Sequence, residues 1–204
     1  QSVTEDIMLR ITNSLASEYN IKNLCLAGGV ALNCVANGKI LQNGKFKNIW
    51  IQPAAGDAGG SLGAALGLWH IELKKNRTIN AKDGMNGSYL GPEYSQNEVE
   101  KKLKELGTNF EVLDDEQLFE KTALELSNGK TVGWFQGRME FGPRALGNRS
   151  ILGDARSENM QKILNLKVKF RESFRPFAPS IIREDLSTWF NLNCDSPYML
   201  LVSD

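Results

Sequence analysis

Apolar residues recur every fourth position at the start of the chain and then give way to short apolar runs that end in glycines. The four-residue spacing comprises Val3, Ile7, Ile11, Leu15 and Tyr19. This spacing places them on one face of a helix over residues 3–19. The runs at 23–27 and 48–52 predict short buried strands, and each is followed by glycines and a helical stretch, over 30–42 and 61–73. Two repeats of strand, glycine turn and helix indicate an α/β domain.

The pattern changes after residue 74, where turn-forming residues accumulate up to residue 95. We therefore predict a domain over 1–76, a linker over 77–95 and a second domain over 96–204. The second domain has predicted helices over 96–106, 115–128 and 157–166 and predicted strands over 109–113, 131–136 and 198–204. This is few strands for an α/β domain, and the chain begins with Gln1 rather than Met. We expect the second domain to be truncated and the chain to be a piece of a longer product.

The charge, the apolar stretches and the cysteines of the chain argue against several classes of protein. The chain has 24 Lys and Arg against 24 Asp and Glu, so its formal net charge is zero. A neutral chain argues against a general nucleic-acid or membrane-surface binder. No apolar stretch approaches the length of a membrane span. The three cysteines lack metal-finger spacing, so we expect them to be reduced and the protein to be cytoplasmic.

Basic residues are concentrated locally, since six of the nine arginines fall between Arg138 and Arg175. Glycine, proline and phenylalanine separate them, which is loop composition rather than a solvated helix face. Arginine offers a planar fork of donors that matches phosphate and carboxylate oxygens. The segment predicts a pocket for a small anion. The alternative is a structural ion-pair network with Glu140, Asp154 and Glu172.

Two glycine turns are further candidates. Residues 28–33 join a strand to a helix N-terminus, which suits a phosphate but is equally a tight turn, and they match neither the Rossmann nor the Walker pattern. Asp57 follows the second strand, where it could bind a metal or cap the next helix. His70 is the only histidine and lies among apolar residues, so we interpret it as structural.

Four motifs together resemble one family. They are LAGGVALNCVAN at 26–37, PAAGDAGGSLGAAL at 53–66, FGPRALGNRSIL at 141–152 and FRESFRPFAPS at 170–180. The chain is identified by them as a member of the carbamoyltransferase family that includes NodU and the antibiotic O-carbamoyltransferases. The resemblance implies the second half of an actin-like ATPase (ASKHA-type) domain, followed by part of a YrdC-like α/β domain.

The resemblance also implies an activity. The YrdC-like module would join ATP and carbamoyl phosphate into carbamoyl-adenylate. The actin-like module would pass the carbamoyl group to a hydroxyl of a small acceptor, with Fe²⁺ or a similar divalent metal in the full-length protein. The remaining partners implied are the rest of the chain and a possible second copy in a homo-oligomer.

Site residues follow by matching positions to the family motifs. In the first module the resemblance assigns nucleotide binding to Gly28, Gly29 and Asn33, and metal binding to Asp57. In the second it assigns catalysis to Lys169, Arg171, Arg138 and Arg144, and cofactor binding to Glu140 and Arg175. We expect Lys169 and Arg171 to share one face of an extended strand that points toward Arg138 and Arg144.

The family pattern is incomplete in this sequence. A histidine pair from the first half of the actin-like module and a later strand and loop of the YrdC-like module are both absent. We therefore expect parts of two sites, with neither complete. Two other functions remain open: a tRNA threonylcarbamoyl-transferase-like protein, against which the neutral charge counts, and a non-catalytic nucleotide-binding module.

Overall fold

The computed structural model describes residues 1–79 and 83–203, and these mix helices with short strands. The helices are α1 (Ser2–Tyr19), α2 (Cys34–Gln42), α3 (Asp57–Gly67), α4 (Gln96–Glu105), α5 (Asp115–Ser127), α6 (Met160–Ile163) and α7 (Leu186–Trp189). The strands are β1 (Asn23–Leu26), β2 (Asn48–Ile51), β3 (Val132–Phe135) and β4 (Arg149–Leu152). The predicted α/β class is confirmed. None of the helices in these two ranges is long and apolar enough to cross a membrane.

The chain divides into two compact units that are not continuous in sequence. The first contains the described residues of 1–90 together with 140–146 and 181–203, and the second contains 91–139 and 147–180. The division therefore differs from the predicted 1–76, 77–95 and 96–204, because two later segments pack with the first unit. Part of the predicted linker, residues 80–82, lies outside the described residues.

A parallel pair of strands organises the first unit. β1 pairs with β2 in a register that runs from Asn23 opposite Asn48 to Leu26 opposite Ile51. Parallel pairing brings the carboxyl ends of both strands to one edge, so the turns that follow them lie side by side. Their backbones are joined there, since the Gly28 amide donates to the Ala55 carbonyl at 2.8 Å.

The later segments enter the core of this unit. Its buried cluster consists of Ala31, Ile51, Ala55, Met85, Tyr198 and Leu200, and Phe141 and Leu146 pack against it. A strand was predicted over 198–204; residues 198–203 do not form one, and residue 204 lies outside the described residues. Met199 adopts a positive φ of 52°, which interrupts an extended run. The apolar residues of this segment fill the core with their side chains, but their backbone does not pair with a strand.

Helix α1 buries a different side from the one that its apolar spacing predicts. The predicted stripe from Val3 to Tyr19 is 39–73% exposed. The side that packs within the unit carries Glu5, Met8 and Thr12 instead. Met8 joins Ala36 and Ile40 of α2 in a second buried cluster. The helix was predicted correctly, but its most regular apolar face is not the face it buries in this unit.

The second unit is built on an antiparallel hairpin. β3 pairs with β4 from Val132 opposite Leu152 to Phe135 opposite Arg149. β4 was not predicted, since its residues lie inside the arginine-rich run. The strand predicted over 109–113 is absent, because that segment has no ladder partner. The helix predicted over 157–166 is the short α6, which continues as a π-helical turn over Leu164–Val168.

Candidate functional site

The glycine turn after β1 is open on its outer side. Gly28 has φ 92° and ψ 162°, a conformation that only glycine adopts without strain. A side-chain carbon added to Gly28 or Gly29 would meet no atom of the described chain within 4 Å. The turn is thus shaped for close approach of a ligand to the backbone, although no contact identifies the ligand.

Asn33 ends this turn and caps the following helix. Its Oδ1 accepts a hydrogen bond from the Ala36 amide at 3.1 Å, which makes it the N-cap of α2. The same side chain exchanges two hydrogen bonds with Gln1. These contacts hold the turn against α1. Its predicted part in nucleotide binding stays a prediction.

Asp57 is exposed and is the first residue of α3. The cap position belongs to Gly56, so Asp57 does not perform the capping role considered as the alternative. A carboxylate in the first turn is favoured by the helix dipole. Among the described residues no group of three or more His, Cys, Asp or Glu side chains is arranged to hold a metal. Asp57 supplies one carboxylate, which alone cannot fill a coordination shell.

The segment 140–146 carries two of the predicted site residues into the first unit. Glu140 is 5% exposed, and its Oε1 accepts the Leu146 amide at 2.6 Å. The Leu146 carbonyl in turn accepts from the Tyr89 hydroxyl at 2.7 Å. Glu140 therefore fixes the backbone of its own loop.

Arg144 reaches from this loop to the glycine turn. Its Nη2 donates to the Leu32 carbonyl at 3.0 Å. Its Nε is buried and has no hydrogen-bond partner among residues 1–79 and 83–203. The placement corrects the expectation that Glu140 and Arg144 form a loop of the second unit together with Arg138. Gly142 permits the packing, because its φ of 118° is strained for any residue with a side chain and its backbone passes close to Ala54, where an added side-chain carbon would lie 3.3 Å from the Ala54 Cβ.

Arg138 lies in the second unit and is exposed. Its Nη1 donates to the Gly91 carbonyl at 2.9 Å, and its Nη2 pairs with Glu93 at 3.2 Å. Asn148 donates to the Arg138 carbonyl at 2.7 Å. The guanidinium thus ties the start of this unit to the end of β3.

Other arginines of the run form the ion pairs considered as the alternative. Arg156 binds Asp154 with two nitrogens, and this contact lowers the pKa of Asp154 to about 2. Arg175 pairs with Glu172 at 3.0 Å. Because each of these charges already has a partner, the arginine density overstates the charge that is available to an anion.

The segment 169–175 is not a strand, so the predicted shared face of Lys169 and Arg171 is wrong. Lys169 has helical angles, and its amide donates to the Leu164 carbonyl at 2.8 Å. Phe170 then adopts a positive φ of 50°. The helix preceding this segment ends two residues later than predicted, in a π-helical turn that ends at Val168, and the chain reverses instead of extending.

Arg171 is held by a residue that sequence reasoning missed. Its Nε donates to the Oδ1 of Asn165 at 2.7 Å, and its guanidinium lies 5.0 Å from the ring centroid of Phe177. Asn165 is fully buried. The sequence did contain a signal, which is an asparagine among the apolar residues of a predicted helix. A buried amide in such a place must have hydrogen-bond partners, and this points to a structural or functional role.

Within the described chain, the hydrogen bonds of the Arg171 guanidinium are made by Nε alone. The two terminal amino groups therefore remain for a ligand. A planar group with two parallel N–H donors matches two oxygens of a phosphate or carboxylate. The geometry gives one pre-oriented anion donor in the second unit and one open glycine turn in the first.

Two family models match the chain. The model described as carbamoyltransferase N-terminus matches residues 1–66, and the model described as carbamoyltransferase C-terminus matches residues 123–204. The two regions contain all four sequence motifs.

Curated relatives match nearly the whole chain. An uncharacterized protein of Synechocystis sp. is 57% identical over 206 residues, which cover 100% of this chain and 34% of the relative. Nodulation protein NolO of Bradyrhizobium diazoefficiens is 41% identical over 193 residues, covering 94% of this chain and 34% of the relative. Nodulation protein U of Rhizobium fredii is 34% identical over 179 residues, covering 88% and 28%. The chain spans about a third of the length of these relatives.

Proposed function

The chain belongs to the carbamoyltransferase family of the nodulation-protein type, and from that premise we propose that it is part of an ATP-dependent O-carbamoyltransferase. The protein would make carbamoyl-adenylate from ATP and carbamoyl phosphate. It would then transfer the carbamoyl group to a hydroxyl of a small acceptor. The second unit would bind the phosphates during adenylation, and the first would carry the transfer step.

The orientation of Arg171 is the observation that supports this proposal best. Adenylation places negative charge on the α-phosphate and on the departing pyrophosphate. A guanidinium that is already fixed by Asn165 and Phe177 stabilises such charge without reorganising as it develops. Lys169, two residues earlier, would add a second positive charge, although not from the same strand face.

In the first step water would cleave the P–O bond of carbamoyl phosphate, releasing phosphate and carbamate. A carbamate oxygen would then form a bond to the α-phosphorus of ATP as the bond to the departing pyrophosphate breaks. In the second step the acceptor oxygen attacks the carbamoyl carbon, AMP leaves, and the hydroxyl proton goes to solvent or to a base. Exclusion of water between the steps would protect the carbamoyl-adenylate.

In the first unit the proposal uses the two turns at the edge of the β1–β2 pair. Ligands of open α/β sheets bind beyond the carboxyl ends of the strands. The turn at Gly28 and Gly29 would approach the adenylate, and Asp57 follows the neighbouring turn. A divalent metal such as Fe²⁺ would need more ligands than Asp57, so the described residues do not by themselves form its site.

Carbamoyl-phosphate-dependent exchange of labelled pyrophosphate into ATP, measured with the full-length protein, tests the proposal. Arg171→Lys should reduce this exchange by about 10²-fold, the scale for removal of one pre-oriented donor, because lysine lacks the planar fork. Arg183→Lys is a matched control, since Arg183 pairs with Asp195 at the surface of the first unit. Near-normal exchange in Arg171→Lys, or equal losses in both variants, would show that Arg171 does not stabilise the adenylation step.

A further inference from the structure

Asn165 is the most completely buried polar side chain of the second unit that no part of the proposed mechanism uses. It has 0% exposure and lies in the π-helical turn Leu164–Val168. Its Oδ1 accepts from Arg171, and its Nδ2 donates to the carbonyls of Ser173 at 3.1 Å and Arg175 at 2.8 Å. One amide thus contacts the loop 171–175 at three points.

The backbone of the same residue makes a fourth contact. The Arg171 amide donates to the Asn165 carbonyl at 2.9 Å. This contact depends on the π-helical turn, in which the Lys169 amide bonds to Leu164 five residues earlier. Because this turn is wider than an α-helical turn, the Asn165 carbonyl accepts from the Arg171 amide of the loop that follows. Single π-helical turns of this kind occur often at functional sites.

Few side chains can replace asparagine here. Aspartate would keep the acceptor for Arg171 but would place a negative charge against two carbonyl oxygens. Leucine would fill the volume but would remove the partner of the Arg171 Nε–H and of the Ser173 carbonyl, and it would leave the Arg175 carbonyl with the Gln161 amide alone, which destabilises. Asparagine has one acceptor and a two-proton donor in the required arrangement.

We propose that Asn165 is a positioning residue for Arg171. It fixes the plane of the guanidinium through Nε, while Phe177 lies against the guanidinium face, so the two terminal amino groups are left for the anion of the proposed function. The inference rests on the proposed function for its effect on activity. The contact between Asn165 and Arg171 stands independently of that function.

A double-mutant cycle in full-length protein tests the proposal through pyrophosphate exchange. Asn165→Leu should lower kcat for exchange by about 10²-fold, the scale of a small misplacement of a catalytic group, at a temperature where the variant is folded. Asn165→Asp should lose less, because it keeps the acceptor for Nε. The double variant with Arg171→Lys should be no slower than Arg171→Lys alone. Losses that multiply would overturn the proposal.

Asn37 provides a matched control for the loss of a buried amide. It too has 0% exposure, and its Nδ2 donates to two carbonyls, those of Ala31 and Leu200, but no arginine of the described chain bonds to it. Asn37→Leu should lower the melting temperature to a similar extent and leave pyrophosphate exchange intact. If both variants lose exchange in proportion to their stability, Asn165 is only structural and the proposal is refuted.

A second measurement separates this inference from the proposed function. In the full-length protein, the Nε–H proton of Arg171 should give a nuclear magnetic resonance signal protected from solvent exchange, assigned by its loss in Arg171→Lys. The signal should persist in Asn165→Asp and lose its protection in Asn165→Leu. Protection in Asn165→Leu equal to that of the unmodified protein overturns the positioning role. Absence of pyrophosphate exchange in the unmodified protein, with this pattern of protection intact, overturns the function and leaves the positioning role supported.

Discussion

Two glycines of helix α3 lie one helical turn apart and have opposite surroundings. A side-chain carbon at Gly59 would lie 2.2 Å from the Ala54 carbonyl oxygen, about 1.2 Å inside the 3.4 Å at which ordinary contact begins. At Gly63 it would meet no atom of the described chain within 4 Å. Ala54 is fully buried and the contacted atom belongs to its backbone, so no side-chain rotation relieves the overlap. Either the helix or the turn after β2 must move.

The two alanine variants should therefore change stability in opposite directions. Alanine stabilises a helix interior by about 1 kcal/mol relative to glycine, so Gly63→Ala should raise the melting temperature by about 2–4 °C. Gly59→Ala gains the same propensity but incurs about 1–3 kcal/mol of overpacking against a fixed backbone. We expect net destabilisation of up to about 2 kcal/mol.

Urea denaturation followed by circular dichroism measures both variants, with the slope of each transition checked for constancy. Gly59→Ala as stable as Gly63→Ala would refute the close approach of α3 to the turn. Because Asp57 is in the same helical turn as Gly59, the variant that shifts the helix should also displace the Asp57 carboxylate.

Three further predictions concern charged and titratable groups. Asp57→Asn in the full-length protein should abolish carbamoyl transfer and preserve pyrophosphate exchange; equal loss of both would contradict the division of labour between the units. Burial, and then the hydrogen bond to Asp83, raise the pKa of Tyr198 to about 12, so its contribution to stability is complete below about pH 10 and is lost as the pH rises through 12. Ultraviolet titration should show one of the four tyrosines ionising late, and Tyr198→Phe should remove that step. Arg156 lowers the pKa of Asp154 to about 2, so that contribution is present above the ordinary value of 3.8 and is lost as the pH falls through 2. Carboxyl titration by nuclear magnetic resonance should return Asp154 toward 3.8 in Arg156→Gln.

Local signals in the sequence predicted most of the elements correctly. The helices α1, α4 and α5 and the strands β1, β2 and β3 lie within a few residues of their predicted bounds. Their signals are local: an apolar period, a glycine boundary, or a capping box such as that between Ser95 and Glu98. Strand 109–113 failed because an apolar run is not a strand unless another strand pairs with it, and pairing is a long-range property.

The observed units differ from the predicted domains for a similar reason. Segment 140–146 lies between β3 and β4 in sequence, and its composition does not indicate that it packs with the first unit. The responsible contacts, from Phe141 and Leu146 to the buried cluster and from Arg144 to Leu32, join residues that are far apart in the chain. Motif matching identified the residues, but it did not identify the unit in which each would lie.

The arginine run combines the two interpretations that the sequence left open. Arg138, Arg156 and Arg175 pair with carboxylates, as a structural network would. Arg144 and Arg171 are hydrogen-bonded to neutral oxygens, a backbone carbonyl and an amide. A neutral partner orients a guanidinium without cancelling its charge, whereas a carboxylate does both.

The type of partner, more than the number of arginines, therefore distinguishes a group that holds the fold together from one that is suited to an anion. By this criterion Arg171 is better suited to bind an anion than Arg144 is. Its terminal amino groups remain available, and Asn165, which orients it, is fully buried. Arg144 donates through a terminal nitrogen and its Nε is buried, so less of its donor capacity faces a ligand. Substitution of Arg171 should consequently change anion affinity, whereas substitution of Arg144 should first loosen the turn at Gly28 to Asn33.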